Sequence, residues 1–84
     1  MAKPRRTEKQ KELMGLILQA AGQGTLLTVK ELHAKISYPA SYGAVRISLN
    51  FLEGQGMIER KRQGQNVLLV PTDRGYDWFR PRTV

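Results

Sequence analysis

Two helix-start signals stand thirteen residues apart in the middle of this 84-residue chain, and the dipeptide between them resists continuing any helix. The first is Thr28-Val29-Lys30-Glu31, a capping box in which the Thr28 hydroxyl accepts from the backbone of Glu31 and the Glu31 carboxylate reaches back. It opens a helix over residues 29–36, with Val29, Leu32 and Ile36 as its apolar stripe. Tyr38 precedes Pro39 and is pushed out of helical angles, which makes residues 37–40 a tight corner. Ser41 then caps a second helix that runs to about residue 53 and stops at Gly54-Gln55-Gly56. Two short helices hinged on so short a corner can hide their apolar sides only against a third element.

That third element precedes them. Thr7-Glu8-Lys9-Gln10 is another capping box, and Leu13, Met14, Ile17, Leu18, Ala20 and Ala21 give residues 8–21 one apolar face before Gly22 and Gly24 stop the helix. Thr25-Leu26-Leu27 reads as a short extended stretch. After the last central helix, residues 57–62 and 66–72 are β-prone runs separated by Gln63-Gly64-Gln65, the pattern of a hairpin. Thr72-Asp73 caps a final helix to about residue 80, which carries Tyr76, Trp78 and Phe79 and is closed by Pro81. The predicted class is α+β: a three-helix core with a two- to three-stranded hairpin and a short carboxy-terminal helix. Three helices with a short turn between the last two match a helix-turn-helix.

Fourteen Lys and Arg against seven Asp and Glu leave a net charge of +7, which favours a polyanionic partner. Basic small proteins that read no sequence share that feature, so placement carries more than the total. Lys3, Arg5, Arg6, Lys9 and Lys11 crowd the amino end, Arg60, Lys61 and Arg62 form a second cluster, and Arg74, Arg80 and Arg82 a third. The absence of cysteine removes disulfides, thiolate metal sites and cysteine nucleophiles. With no apolar run long enough for a signal peptide or a membrane span, the chain reads as soluble and cytoplasmic. It divides into a flexible basic arm over residues 1–6, one domain over 7–80 and a tail over 81–84.

The element order, with a basic hairpin tip, resembles the winged helix-turn-helix family of transcriptional regulators. Three blocks carry the resemblance: Thr28-Val-Lys-Glu-Leu-His-Ala-Lys-Ile, the recognition-helix-like run from Tyr42 to Glu59, and Pro71-Thr-Asp-Arg-Gly after the hairpin. The run Leu49-Asn-Phe-Leu-Glu-Gly-Gln-Gly-Met-Ile is the most specific of these. The opening Thr7-Glu-Lys-Gln-Lys-Glu-Leu-Met is similar to the start of the LexA repressor's DNA-binding domain, without that repressor's protease domain or its self-cleavage. The resemblance implies a sequence-specific binder of double-stranded DNA, a repressor acting as a homodimer on two half-sites. The alternative is a winged helix used as a protein-interaction module in a replication, partition or defence complex.

Arg46 and Asn50 stand one turn apart on the polar side of the third helix, where arginine can pair with guanine and asparagine with adenine. They are base readers or an ordinary solvated face. On the same wheel Val45, Ser48, Leu49 and Leu52 form the inner side, widened by Ala44 and Phe51. Ser41 and Tyr42 at the helix's amino end are placed for a phosphate, though Tyr42 can equally pack on the second helix. Arg60 and Arg62 share one face of their strand and Lys61 takes the other. In a wing, Arg60, Arg62, Gln63 and Gln65 reach the backbone or the minor groove; otherwise the charges only keep a hairpin edge soluble. Further phosphate candidates are Lys3, Arg5, Arg6 and Lys30, with Lys35 beside it, and each has a solvated-face reading.

Tyr76, Trp78 and Phe79 are expected at a dimer contact, because so small a domain has limited room for three aromatics. His33 has no second histidine or cysteine to share a metal with. The carboxylates are explained by capping and solubility, no nucleophile-base pair stands out, and no GxxxxGK[ST] loop occurs. No catalytic residue, cofactor or metal is expected.

Overall fold

The computed structural model describes residues 8–79. The basic arm with Lys3, Arg5 and Arg6, the Thr7 cap, and the tail with Arg80 and Arg82 lie outside the described residues. The element order is α1 (Glu8–Gly22), β1 (Leu27–Thr28), α2 (Val29–Lys35), α3 (Tyr42–Gly54), β2 (Ile58–Gln63), β3 (Asn66–Pro71) and α4 (Asp73–Phe79). The strands form an antiparallel sheet in the order β1-β3-β2. The extended stretch expected before α2 is thus the sheet's third strand, two residues long, with Leu27 opposite Leu69 and Thr28 opposite Leu68.

Each boundary has a local cause. At α2, Thr28 Oγ1 accepts from Glu31 N at 3.1 Å, while Glu31 Oε1 accepts from Thr28 N at 2.9 Å, so both halves of the capping box are formed. Ser41 Oγ accepts from Ala44 N at 3.1 Å and starts α3. The hairpin closes at the Gln63–Asn66 pair, leaving Gly64 and Gln65 as a two-residue turn. Gly64 adopts φ +63°, the left-handed angle that a tight hairpin demands of its first central residue and that glycine reaches without strain.

Alternation along β2 and β3 builds the site as well as the core. Ile58 faces Pro71, Arg60 faces Leu69 and Arg62 faces Val67, so all six project to one side of the sheet. Ile58 and Leu69 are buried at the end near the helices, whereas Arg60 is half-buried and Arg62 exposed toward the tip. The core joins Leu13, Met14 and Ile17 of α1, Leu32 of α2, Val45, Leu49 and Leu52 of α3, Ile58 and Leu69 of the sheet, and Trp78 of α4.

Trp78 is 8% exposed and belongs to this core, not to a free aromatic surface. The expectation of an interface tryptophan underestimated how closely α4 approaches α1, where a Cβ on Gly15 would already lie 3.3 Å from the Phe79 ring. Ala44 and Phe51 also depart from expectation: both are exposed, and the buried arc of α3 narrows to Val45, Leu49 and Leu52.

The Tyr38-Pro39 corner is held from both sides. Ser37 donates to the Glu12 carboxylate through its backbone N-H and its hydroxyl, each at 2.5 Å, tying α1 to the corner. Those bonds hold the Glu12 carboxyl below its ordinary pKa. A carboxyl lowered in the folded state stabilises it above the unfolded-state pKa, and that contribution is lost as pH falls through the lowered value. Melting temperatures taken from about pH 6 to pH 3 should therefore fall in the native protein and fall less steeply in Glu12→Gln. Parallel curves for the two proteins would remove Glu12 from the corner's stability. On the other side His33 Nε2 lies 2.8 Å from the Ala40 carbonyl oxygen, which can only accept, so this nitrogen carries the proton. The His33 ring meets Tyr42 edge-on at 5.8 Å, which fixes the start of α3.

Candidate nucleic-acid interface

A cleft of about 300 Å³ opens where the start of α2, the first half of α3 and the hairpin converge. Lys30, Tyr42, Arg46, Arg60 and Gln65 line it, together with Val67. These five are all among the residues proposed from sequence, drawn from three separate segments. Three of them, Lys30, Arg46 and Arg60, are cationic, the last paired with Glu53, so basic side chains converge on a cleft open to solvent. Tyr42 is 44% exposed while its ring makes a T-shaped contact with His33, so it packs toward α2 and presents a surface at once.

Arg60 is the most constrained of the set. Its guanidinium forms an ion pair with Glu53 Oε1 at 2.8 Å, adds an Nε bond to the same oxygen at 3.2 Å, and donates to Asn50 Oδ1. Arg60 and Asn50, separate contact candidates by sequence, are joined in the fold, and Glu53 is the third member of the cluster. On a helical wheel Glu53 falls beside Arg46 and Asn50, and that position is the signal that identifies it. The cluster braces the hairpin against α3 and fixes the Asn50 amide with its oxygen toward Arg60.

The remaining candidates are distributed. Ser41 uses its oxygen as the α3 cap, leaving its O-H to donate outward. Arg62 continues the face of Arg60 nearer the tip. Gln63 points to the opposite side of the hairpin, where it shares a second depression with Leu68 and Lys35. Lys35 is therefore remote from the cleft. Tyr76 is 39% exposed on α4, and Phe79 is half-buried against the core. Among the described residues no cluster of His, Asp or Glu could hold a metal ion, and no helix is long and apolar enough to cross a membrane.

The fold is shared with known structures. A crystal structure of the Archaeoglobus fulgidus protein AF1382 superposes with a TM-score of 0.78 at 20% identity, covering 88% of this chain and 79% of that one. A second, a possible transcriptional regulator for arsenical resistance, gives a TM-score of 0.62 at 22% identity over the same shares. The fold is a winged helix. Its wing is the β2-β3 hairpin, and α2, the corner and α3 form its helix-turn-helix. No family model and no curated protein sequence matches this chain.

Proposed function

We propose that this winged helix is a sequence-specific regulator of transcription that binds double-stranded DNA, with α3 in the major groove and the wing on the flanking backbone. The observation that carries the reading is the convergence of Lys30, Arg46 and Arg60 in one open cleft between α3 and the wing. A phosphodiester strand passing between a groove-bound helix and a wing needs cations at that junction. The net charge of +7 supplies the long-range attraction. A structural neighbour described as a possible transcriptional regulator for arsenical resistance fits the same role.

The finer reading is a homodimeric repressor that blocks polymerase at an operator with two half-sites about 34 to 36 Å apart. Tyr76 and Phe79, beside the groove between α1 and α4, are the surface assigned to the second copy. Since Trp78 is core, the informative variant for the dimer is Tyr76→Arg. It should sediment as a monomer with its fold intact, and an unchanged mass would place the contact elsewhere. A protein-docking role for the same fold would use the exposed Ile47 and Phe51 of α3.

Selection of bound duplexes from a random pool, followed by titration at two salt concentrations, tests the reading. A recovered sequence with a steep salt slope is expected; uniform weak binding to every duplex would overturn sequence-specific recognition. Arg46→Ala should cost about tenfold and relax the preference at one base position. Arg62→Ala should weaken every site alike and reduce the salt slope by about one.

A further inference from the structure

Resting on the DNA-binding reading above, we infer that Ile47 is a specificity residue of α3 that recognises the C5 methyl group of thymine in the major groove. Ile47 is 70% exposed, the most exposed of the large apolar side chains among the described residues. Single exposed apolar residues are ordinary, but this one has company. Ala44 stands one turn before it and Phe51 one turn after, both exposed, so an apolar stripe runs along the outside of α3. The stripe runs over eight residues, about 10 Å of helix from first to last, close to three base-pair steps of B-DNA.

Its position on the helix selects the occupant. The buried side chains Val45, Leu49 and Leu52 face the core, and Ile47 lies nearly opposite them, at the outermost ridge of α3. Arg46 and Asn50 flank that ridge on the side toward the wing. The apolar stripe therefore borders a cationic cleft on a strongly basic chain, which matches a polyanion better than an apolar protein groove. In the major groove of DNA the thymine methyl is the apolar feature a side chain can meet.

The state of Asn50 adds weight. A bidentate contact to adenine asks the asparagine oxygen to accept from N6 while its NH₂ donates to N7. Here the oxygen already accepts from Arg60. One of the two lone pairs of that oxygen is thereby engaged, and contact with the methyl on the thymine side adds a second discrimination at an A·T pair.

The test uses the full chain and the duplex enriched from a random pool, with each thymine replaced in turn by deoxyuridine, which lacks only the methyl. The native protein should lose about fourfold in affinity at one or two positions, the worth of burying one methyl-sized group. Ile47→Ala, an exposed change that should leave the circular dichroism spectrum unaltered, should bind thymine and deoxyuridine duplexes equally at those positions. Persistent sensitivity to deoxyuridine in Ile47→Ala would overturn the assignment. So would native binding that ignores every replacement, which leaves DNA recognition standing and gives the stripe to a protein partner. Failure to enrich any duplex would remove both the inference and the DNA-binding reading.

Discussion

Gly75→Ala should lower the stability of this protein by about 3 kcal/mol, a large share of what so small a domain possesses. A Cβ on Gly75 would fall inside contact distance of the Met57 carbonyl oxygen, 2.9 Å from Met14 Cε and 3.2 Å from the Met57 carbonyl carbon. Met14 and Met57 are both buried, so neither has space into which to retreat. The Met57 carbonyl is also held in place, because it accepts from Thr72 N at 3.1 Å. Thr72 in turn donates its hydroxyl to the Gly56 carbonyl at 2.6 Å and accepts from Gly75 N at 3.1 Å.

The junction is therefore a closed set of bonds across the entrance of the hairpin and the first turn of α4. An added methyl must either break that set or lift α4 off the core. Thermal unfolding should show a midpoint lower by roughly 15 °C for a domain of this size. Trp78, the chain's single tryptophan, reports which way the strain is relieved. If α4 lifts, Trp78 leaves the core and its emission shifts to the red before global unfolding. A midpoint within about 2 °C of the native value would mean that α4 can pivot freely and that the close approach is not required.

This junction also explains where sequence reading succeeded and where it stopped. The run Pro71-Thr-Asp-Arg-Gly is visible as a family-like block, and Thr72 as a helix cap is legible from residue type alone. What Gly75 is for is not legible, since the atom it avoids belongs to Met57, eighteen residues earlier. The misplacement of Trp78 has the same origin. A helix that sits this close to its neighbours buries an aromatic that a volume argument assigns to the surface. By contrast, the α2 capping box, the Ser41 cap of α3 and the hairpin turn are set by residues within four positions of one another, and they form as expected.

The site divides along the same line. Strand alternation correctly puts Arg60 and Arg62 on one face. It does not say that this face is the continuation of Ile58 and Leu69, which brings Arg60 against α3 while Arg62 runs past it. The wheel of α3 gives the polar edge, but it widens the inner side to Ala44 and Phe51, and only packing shows that both are exposed.

Arg60→Ala should therefore cost more in DNA affinity than any other single change in the cleft, about 30-fold. Two effects combine. The substitution removes a cation from the cleft, which weakens phosphate contact and lowers the salt slope by about one. It also strips Glu53 of its ion-pair partner, leaving on the edge of α3 a carboxylate that would repel the DNA backbone in the proposed complex. The pair itself is partly exposed, so its loss should barely change thermal stability, within about 1 kcal/mol. Binding and folding are thereby separated in one variant.

The complementary change discriminates the two effects. Glu53→Gln removes the repulsive carboxylate and frees the Arg60 guanidinium to reach a phosphate, so duplex affinity should rise by a few-fold and the salt slope should steepen. Arg60→Lys keeps the charge but lacks the planar fork that bridges Glu53 and Asn50, so it should retain the salt slope while blurring the preference at the base facing Asn50. Fluorescence anisotropy on the selected duplex at two salt concentrations measures all three. If Glu53→Gln weakens binding as much as Arg60→Ala, the cluster acts as a rigid brace whose geometry matters more than its charge, and the wing's main contribution is to aim α3.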